Sequence, residues 1–279
     1  MDVQAYLAEQ SARVDRVLDA RLPPAEERPA RLHAAMRHLV FPGGKRFRPA
    51  LCLAASQAVG GDPERALPVA AAVELVHTYS LIHDDLPCMD DDVERRGRPT
   101  VHVAFDEATA VLAGDALLAE AFATVLEAEG LSADARVAAA AELAAAAGSR
   151  ALVGGQAEDL SVGAGTAGAA QIEWIHARKT AALIRAAAVA GARVGGASPA
   201  TLDRFREFGT AVGIAFQIAD DLLDQGDADA CSLVAVLGAP AARERAETLL
   251  GEALAGLEDL GEPAEPLREL SRMAVRRMH

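Results

Sequence analysis

An all-α fold is what this sequence predicts, on three observations. Alanine and leucine recur at helical spacing through most of the 279 residues. No run alternates Val, Ile, Thr and aromatics as a half-buried strand does, and the breaks carry helix-stopping residues. The elements follow in order. Helices over 3–19 and 26–39 precede the turn at Phe41-Pro42-Gly43-Gly44, and a helix over 49–59 stops at Gly60-Gly61-Asp62-Pro63. The strongly apolar stretch 66–84 ends before Leu86-Pro87, and Gly97-Arg98-Pro99 separates it from a helix over 105–129. Alanine-rich segments give helices over 133–160 and 170–194, the second stopped by Gly195-Gly196, and another covers 199–224. Two or three shorter helices follow, around Gly261-Glu262-Pro263. None of the breaks has the length or composition of an interdomain linker, so residues 1–279 are expected to form a single-domain helical bundle of about ten or more helices. Small side chains and only 4% aromatics would let helix axes approach around a central cavity, although helix propensity alone also favours alanine.

Charge narrows the functional classes. Lys and Arg total 27 against 41 Asp and Glu, a formal net charge of -14, which argues against a protein that coats nucleic acid. Cys52, Cys88 and Cys231 are far apart, odd in number and form no C-x-x-C, so neither a disulfide framework nor a zinc site is expected. The longest apolar run, 67–82, carries Glu74 and His77, and no membrane span is expected. The residues from Met1 lack the features of a signal peptide, and the chain reads as cytoplasmic.

Two familiar motifs fail. Gly163-Ala164-Gly165-Thr166-Ala167-Gly168 spells G-x-G-x-x-G, but a dinucleotide site needs a strand before it and a helix after it, and the preceding segment reads as helix. Gly44-Lys45 fails as a phosphate loop, because Arg46 stands where Ser or Thr is needed.

What remains is acidic. Asp84, Asp85, Asp90, Asp91 and Asp92 crowd the end of an apolar helix, where adjacent ionised carboxylates repel with poor screening and call for protons or a hard divalent cation, Mg²⁺ above all. A second cluster, Asp220-Asp221-Leu222-Leu223-Asp224, ends another apolar helix. Gln217, Asp220, Asp221 and Asp224 fall on one helical face, as do His77 and Asp84. Either cluster alone could be a charged helix end. Together they suggest two polar stripes facing a common space. Cations stand beside them: Lys45, Arg46 and Arg48 after the glycine pair, and Arg95, Arg96 and Arg98 past the first acid cluster. Carboxylates that hold Mg²⁺ next to arginines suited to bidentate phosphate contact describe a site for a metal-bridged diphosphate.

These residues resemble the trans-isoprenyl diphosphate synthases, the polyprenyl synthetase family that makes farnesyl and geranylgeranyl diphosphates. The matching segments are Gly43-Gly44-Lys45-Arg46-Phe47-Arg48-Pro49, the stretch from His77 through Asp90 to Arg95-Arg96-Gly97, Gly114-Asp115, Gly155-Gln156, Arg178-Lys179-Thr180 and Phe216 through Asp224. The resemblance implies the isoprenoid synthase fold, a homodimer, and head-to-tail condensation of isopentenyl diphosphate with an allylic diphosphate. It implies that Asp84, Asp85 and Asp90, with Asp220 and Asp224, bind Mg²⁺, Asp221 lying behind them. It places Arg95, Lys179, Thr180 and Gln217 on the allylic diphosphate, with Lys179, Thr180 and Gln217 catalytic, and Lys45, Arg48, His77 and Arg96 on isopentenyl diphosphate. Tyr79 and Ser80, about one helical turn before Asp84, match the positions that set product length, and an aromatic floor at Tyr79 suggests farnesyl diphosphate, with geranylgeranyl diphosphate the longer option.

One stretch departs from the family pattern. From Gln225 to Leu233 the sequence is shorter than the lysine-containing loop of relatives, and aligning Ser232 with their threonine puts Ala230 at the lysine position. The expected function is therefore a Mg²⁺-dependent prenyltransferase, with a weakly active regulatory subunit of another synthase as the alternative. A terpene cyclase is the remote third reading, since Lys45, Arg48 and His77 would have no purpose in one.

Overall fold

The computed structural model describes residues 1–162, 167–223 and 232–276. Among the described residues the chain forms α1 (Val3–Arg21), α2 (Ala30–Val40), α3 (Phe47–Ala58) and α4 (Pro63–Asp84), then a ribbon of β1 (Glu94–Arg95) and β2 (Arg98–Pro99). There follow α5 (Val101–Ala104), α6 (Glu107–Leu126), α7 (Ala133–Ala147), α8 (Leu152–Ser161), α9 (Ala169–Lys179), α10 (Ala181–Val194) and α11 (Pro199–Leu223). Last come α12 (Leu233–Leu237), α13 (Ala239–Ala255) and α14 (Glu265–Val275). The all-α expectation holds. Its one exception is the ribbon, where Arg96 and Gly97 both adopt positive φ (56° and 72°), the two-residue turn that suits the twist of paired strands.

The core is organised around α10, which packs against α3, α4, α7, α9 and α11. Of its residues only Arg185 and Arg193 escape full burial, the pattern of a helix surrounded by others. Gly191 permits the closest approach, because a Cβ there would collide with the Cys52 carbonyl of α3. Each buried Leu or Ile on this helix, Leu183 and Ile184 among them, contributes about 1.5–3 kcal/mol by leaving water. A larger residue at Gly191 would part α3 from α10.

The structure corrects two of the expected helices and trims a third. The expected 105–129 helix is α6, which starts at Glu107 because Asp106 caps it by accepting from the Thr109 amide, and the short α5 lies before that span. The segment 133–160 breaks at Gly148, which ends α7. The segment 170–194 breaks at Thr180, whose backbone (φ -109°) turns its hydroxyl toward α11. The expectation that nothing is long and apolar enough to span a bilayer also fails on length and composition alone. α6 (20 residues, mean hydropathy 1.6) and the stretch Ala133–Ser161 both qualify, because alanine counts as apolar. α6 packs along the length of α4, so its hydropathy serves a protein core.

Candidate active site

Three helix ends and one turn build the site. α4 brings its last residue, Asp84, beside the loop bearing Asp90; α11 brings Gln217, Asp220 and Asp221 on its final turns; the break between α9 and α10 presents Lys179 and Thr180 between them. Gly155 of α8 makes that break possible, since a Cβ there would strike the Lys179 backbone. Asp224 lies outside the described residues, as do Gly163 to Thr166 of the glycine motif and Ala230.

At the acidic side, burial pushes the Asp84 carboxyl up to about 7, with Lys179 pulling it down and Asp90 pushing it further up. Asp90 is raised by the same burial. The Lys179 ammonium donates to Asp159 Oδ2 at 2.5 Å. Burial alone would lower its pKa, but the carboxylates of Asp159, Asp84 and Asp90 together hold it above the ordinary lysine value. Lys179 thus sits in the field of the first acid cluster. Its neighbour faces the second: Thr180 Oγ1 donates to Gln217 Oε1 at 2.8 Å, and Gln217 Nε2 donates to Asp221 Oδ1 at 3.0 Å. Asp221 also accepts from the Leu233 amide at 3.2 Å and lies 3.7 Å from His176 Nε2. Asp221 is thus turned toward α9 and α12 and holds Gln217 in place. Asp85 is fully buried and receives Arg95 Nε at 2.5 Å, while Arg95 also reaches Asp92 at 2.8 Å. Burial, outweighing Arg95, raises the Asp85 carboxyl.

The cationic side is a separate pocket of about 210 Å³ lined by Gly44, Lys45, Arg48, His77, Arg96 and Phe216, with Arg46 and Glu74 in its wall. All four residues assigned from sequence to isopentenyl diphosphate meet here. Arg48 Nη1 donates to His77 Nε2 at 3.4 Å, which fixes the imidazole as an acceptor at that nitrogen. Burial, then Arg48 and Arg96, lower the His77 pKa well below its usual value, so the ring is neutral. Arg96 leans across to Leu39 O at 3.3 Å, and it occupies the space a Cβ on Gly44 would need, 2.7 Å from its Nη2.

Not every arginine near the glycine pair faces this space. Arg98 donates to the His38 and Phe41 carbonyls, and Arg46 is buried in an ion pair. Sequence reading missed Phe216, whose ring stacks on Phe47 (5.5 Å, 8°) beneath the Arg48 guanidinium, and Asp159, the partner of Lys179. It also missed Gln156, buried on α8 with neither amide atom hydrogen-bonded among the described residues. Phe216 and Gln156 stood within matching segments, yet nothing in spacing alone marked their side chains as lining.

An all-α shell that sets paired acid clusters against a cationic pocket defines the isoprenoid synthase class of fold. The sequence profile of the polyprenyl synthetase family matches residues 29–231, and the chain belongs to that family. It is 47% identical over 229 residues to the heterodimeric geranylgeranyl pyrophosphate synthase large subunit 1 of Arabidopsis thaliana, a match covering 80% of this chain and 61% of that one, so it spans about three-fifths of that relative's length. To the geranylgeranyl pyrophosphate synthase of Catharanthus roseus it is 42% identical over 287 residues, covering 97% of this chain and 80% of the relative. The crystal structure of an FPP/GFPP synthase from Zymomonas mobilis superposes with a TM-score of 0.92 at 40% identity, covering 98% of this chain and 99% of that one.

Proposed function

We propose that the protein is a prenyltransferase condensing isopentenyl diphosphate head-to-tail with an allylic diphosphate. The observation that carries this reading is the α9–α10 break, where Lys179 lies in the field of Asp84 and Asp90 while Thr180 binds Gln217 of α11, beside the pocket of Lys45, Arg48, His77 and Arg96. The two acid-bearing helix ends thereby flank one space, and a second anion site adjoins it.

Magnesium fits the donors. Among the described residues no three side chains form a ready-made metal cage. Desolvated carboxylates such as Asp84, whose pKa is pushed to about 7, favour a cation that shares its coordination with substrate phosphate oxygens, as Mg²⁺ does. Asp84 and Asp90 on one side, with Asp220 and Asp224 on the other, would hold it, and Asp85 supports them through Arg95. The ion would supply charge stabilisation to a departing diphosphate. Lys179 and Arg95 add fixed positive charge there, and Thr180 and Gln217 orient the same group through their mutual hydrogen bond. Departure leaves an allylic cation, which the isopentenyl double bond attacks, and the released diphosphate takes the proton. Apolar walls around Leu75, Val76 and Ile82 exclude water from the cation.

Tyr79, buried with its ring edge-on to His83 at 5.8 Å, supports a short product, farnesyl diphosphate first. The printed names of relatives lean to geranylgeranyl and geranylfarnesyl products. A homodimer is supported by apolar side chains exposed on α6 and α7, Leu112, Leu126 and Val137, and sedimentation velocity tests it. The alternative, a weakly active subunit of another synthase, rests on Ala230 in place of the family lysine. Incubation with radiolabelled isopentenyl diphosphate, Mg²⁺ and dimethylallyl, geranyl or farnesyl diphosphate, followed by chromatography, decides between them. Labelled product from the protein alone supports the enzyme, and product only on adding a second synthase supports the subunit.

A further inference from the structure

Arg46 stands in the most basic stretch of the chain and yet faces away from solvent, with only 2% of its surface exposed. Its backbone is left-handed (φ 50°, ψ 34°) at the start of α3, a conformation that a non-glycine residue keeps only when its surroundings impose it. Those surroundings are three helices. The Arg46 guanidinium donates through Nε to Asp15 Oδ1 of α1 at 2.8 Å, through Nη1 to Glu74 Oε1 of α4 at 2.6 Å, and through Nη2 to the Val40 carbonyl that ends α2 at 2.6 Å. Glu74 has 2% of its surface exposed, so this is a buried charge pair rather than a surface one.

The glycine pair explains itself from the same contacts. A Cβ on Gly43 would collide with the Arg46 guanidinium, and one on Gly44 would meet that of Arg96. Gly43 is the seat of one arginine and Gly44 the seat of the other. Between and beyond the seats, Lys45 and Arg48 project from a segment of four residues whose course is set by where Arg46 is tied. The carboxylate of Glu74 meanwhile lies in the wall of the pocket, paired with Arg46.

We propose that Arg46, seated on Gly43 and clamped by Glu74 and Asp15, is a positioning residue that sets Lys45, Arg48 and Arg96 to receive the diphosphate of isopentenyl diphosphate. The proposal rests on the prenyltransferase reading for the identity of that ligand. Arg46 borders the pocket, but its guanidinium is engaged by Asp15, Glu74 and the Val40 carbonyl, so its part is to fix the geometry of the neighbouring cations. A displacement of about 1 Å in such groups costs up to about a hundredfold in rate or affinity.

The test separates positioning from mere stability. Isopentenyl diphosphate binding is measured by calorimetry on the full chain for wild type, Arg48→Ala, Arg46→Gln, Asp15→Asn, Gly43→Ala and the double variant Arg46→Gln/Glu74→Gln, each with its Tm. Arg46→Gln strands a buried carboxylate and is expected to lower Tm, whereas the double variant leaves only the half-exposed Asp15 carboxylate without its partner and is expected to regain much of it. Positioning predicts that the double variant, though refolded, still binds isopentenyl diphosphate about tenfold or more weakly. Asp15→Asn, which disturbs the exposed brace, is expected to weaken binding several-fold with Tm close to wild type, and Gly43→Ala, which displaces the buried guanidinium, to weaken binding with a lowered Tm. In turnover assays KM for isopentenyl diphosphate should rise in these variants, with KM for the allylic diphosphate unmoved. Wild-type affinity in the double variant would overturn the inference while Arg48→Ala still abolishing binding would leave the prenyltransferase reading intact. Absence of binding by the wild type, or wild-type binding by Arg48→Ala, would overturn both.

Discussion

The two charged regions of the site are built on opposite plans. In the cationic pocket the protein limits the charge itself: Arg46 is matched by Glu74 and Asp15, and His77 is kept neutral. In the acidic region burial raises Asp84, Asp85 and Asp90 together, and Lys179 and Arg95 answer them only in part. The first region is finished by folding, ready for an anion. The second gathers desolvated carboxyls that protons or added cations must neutralise.

Mutations should divide along the same line. Asp84→Ala and Asp220→Ala are each expected to reduce kcat by about a thousandfold with the helical circular dichroism unchanged, because removing a charge that stabilises a departing group acts on the transition state. Activity within a few-fold of wild type in either variant would erase the distinction. Arg48→Ala should raise KM for isopentenyl diphosphate by about tenfold to a hundredfold, the worth of hydrogen bonds to a charged group, and leave the allylic KM little changed. A parallel rise in both would show the two regions to be one site.

Tyr79→Ala should move the product toward longer chains at modest cost in rate, read by chromatography of the dephosphorylated alcohols. The smallest effect is on stability. Because the folded His77 pKa lies below the unfolded value, the unfolded chain binds the His77 proton between the two, and this residue's contribution to stability falls as pH drops below about 6.5. Asp84, raised to about 7, takes up its proton in the folded state and contributes in the opposite direction. Relative to wild type, His77→Gln should therefore gain stability as pH is lowered through that window, read by urea titration.

Much of this division was legible in the sequence, for definite physical reasons. Acid clusters at the ends of apolar helices are costly enough to stand out against any ordinary helix end, and Lys45, Arg48, His77 and Arg96 were placed by motif. The helix breaks at Gly148 and Thr180 were not legible, because an alanine-rich register continues through both positions and the cause of the second lies on another helix, at Gly155 and Gln217. Arg46 illustrates the same limit. By sequence it is one more cation beside Lys45, and only the approach of α1, α2 and α4 shows that its charge is spent inside the protein. Asp159 was invisible for a similar reason, since its partner Lys179 is twenty residues away at the end of the next helix.

The central claim is that acid clusters far apart in sequence act on one diphosphate. A double-mutant cycle tests it most directly, with inorganic diphosphate binding measured in saturating Mg²⁺ for wild type, Asp84→Asn, Asp220→Asn and the pair. Convergence predicts strong non-additivity, the double variant binding little worse than either single one. Free-energy losses that sum to within about 0.5 kcal/mol would mean two independent sites and contradict the account.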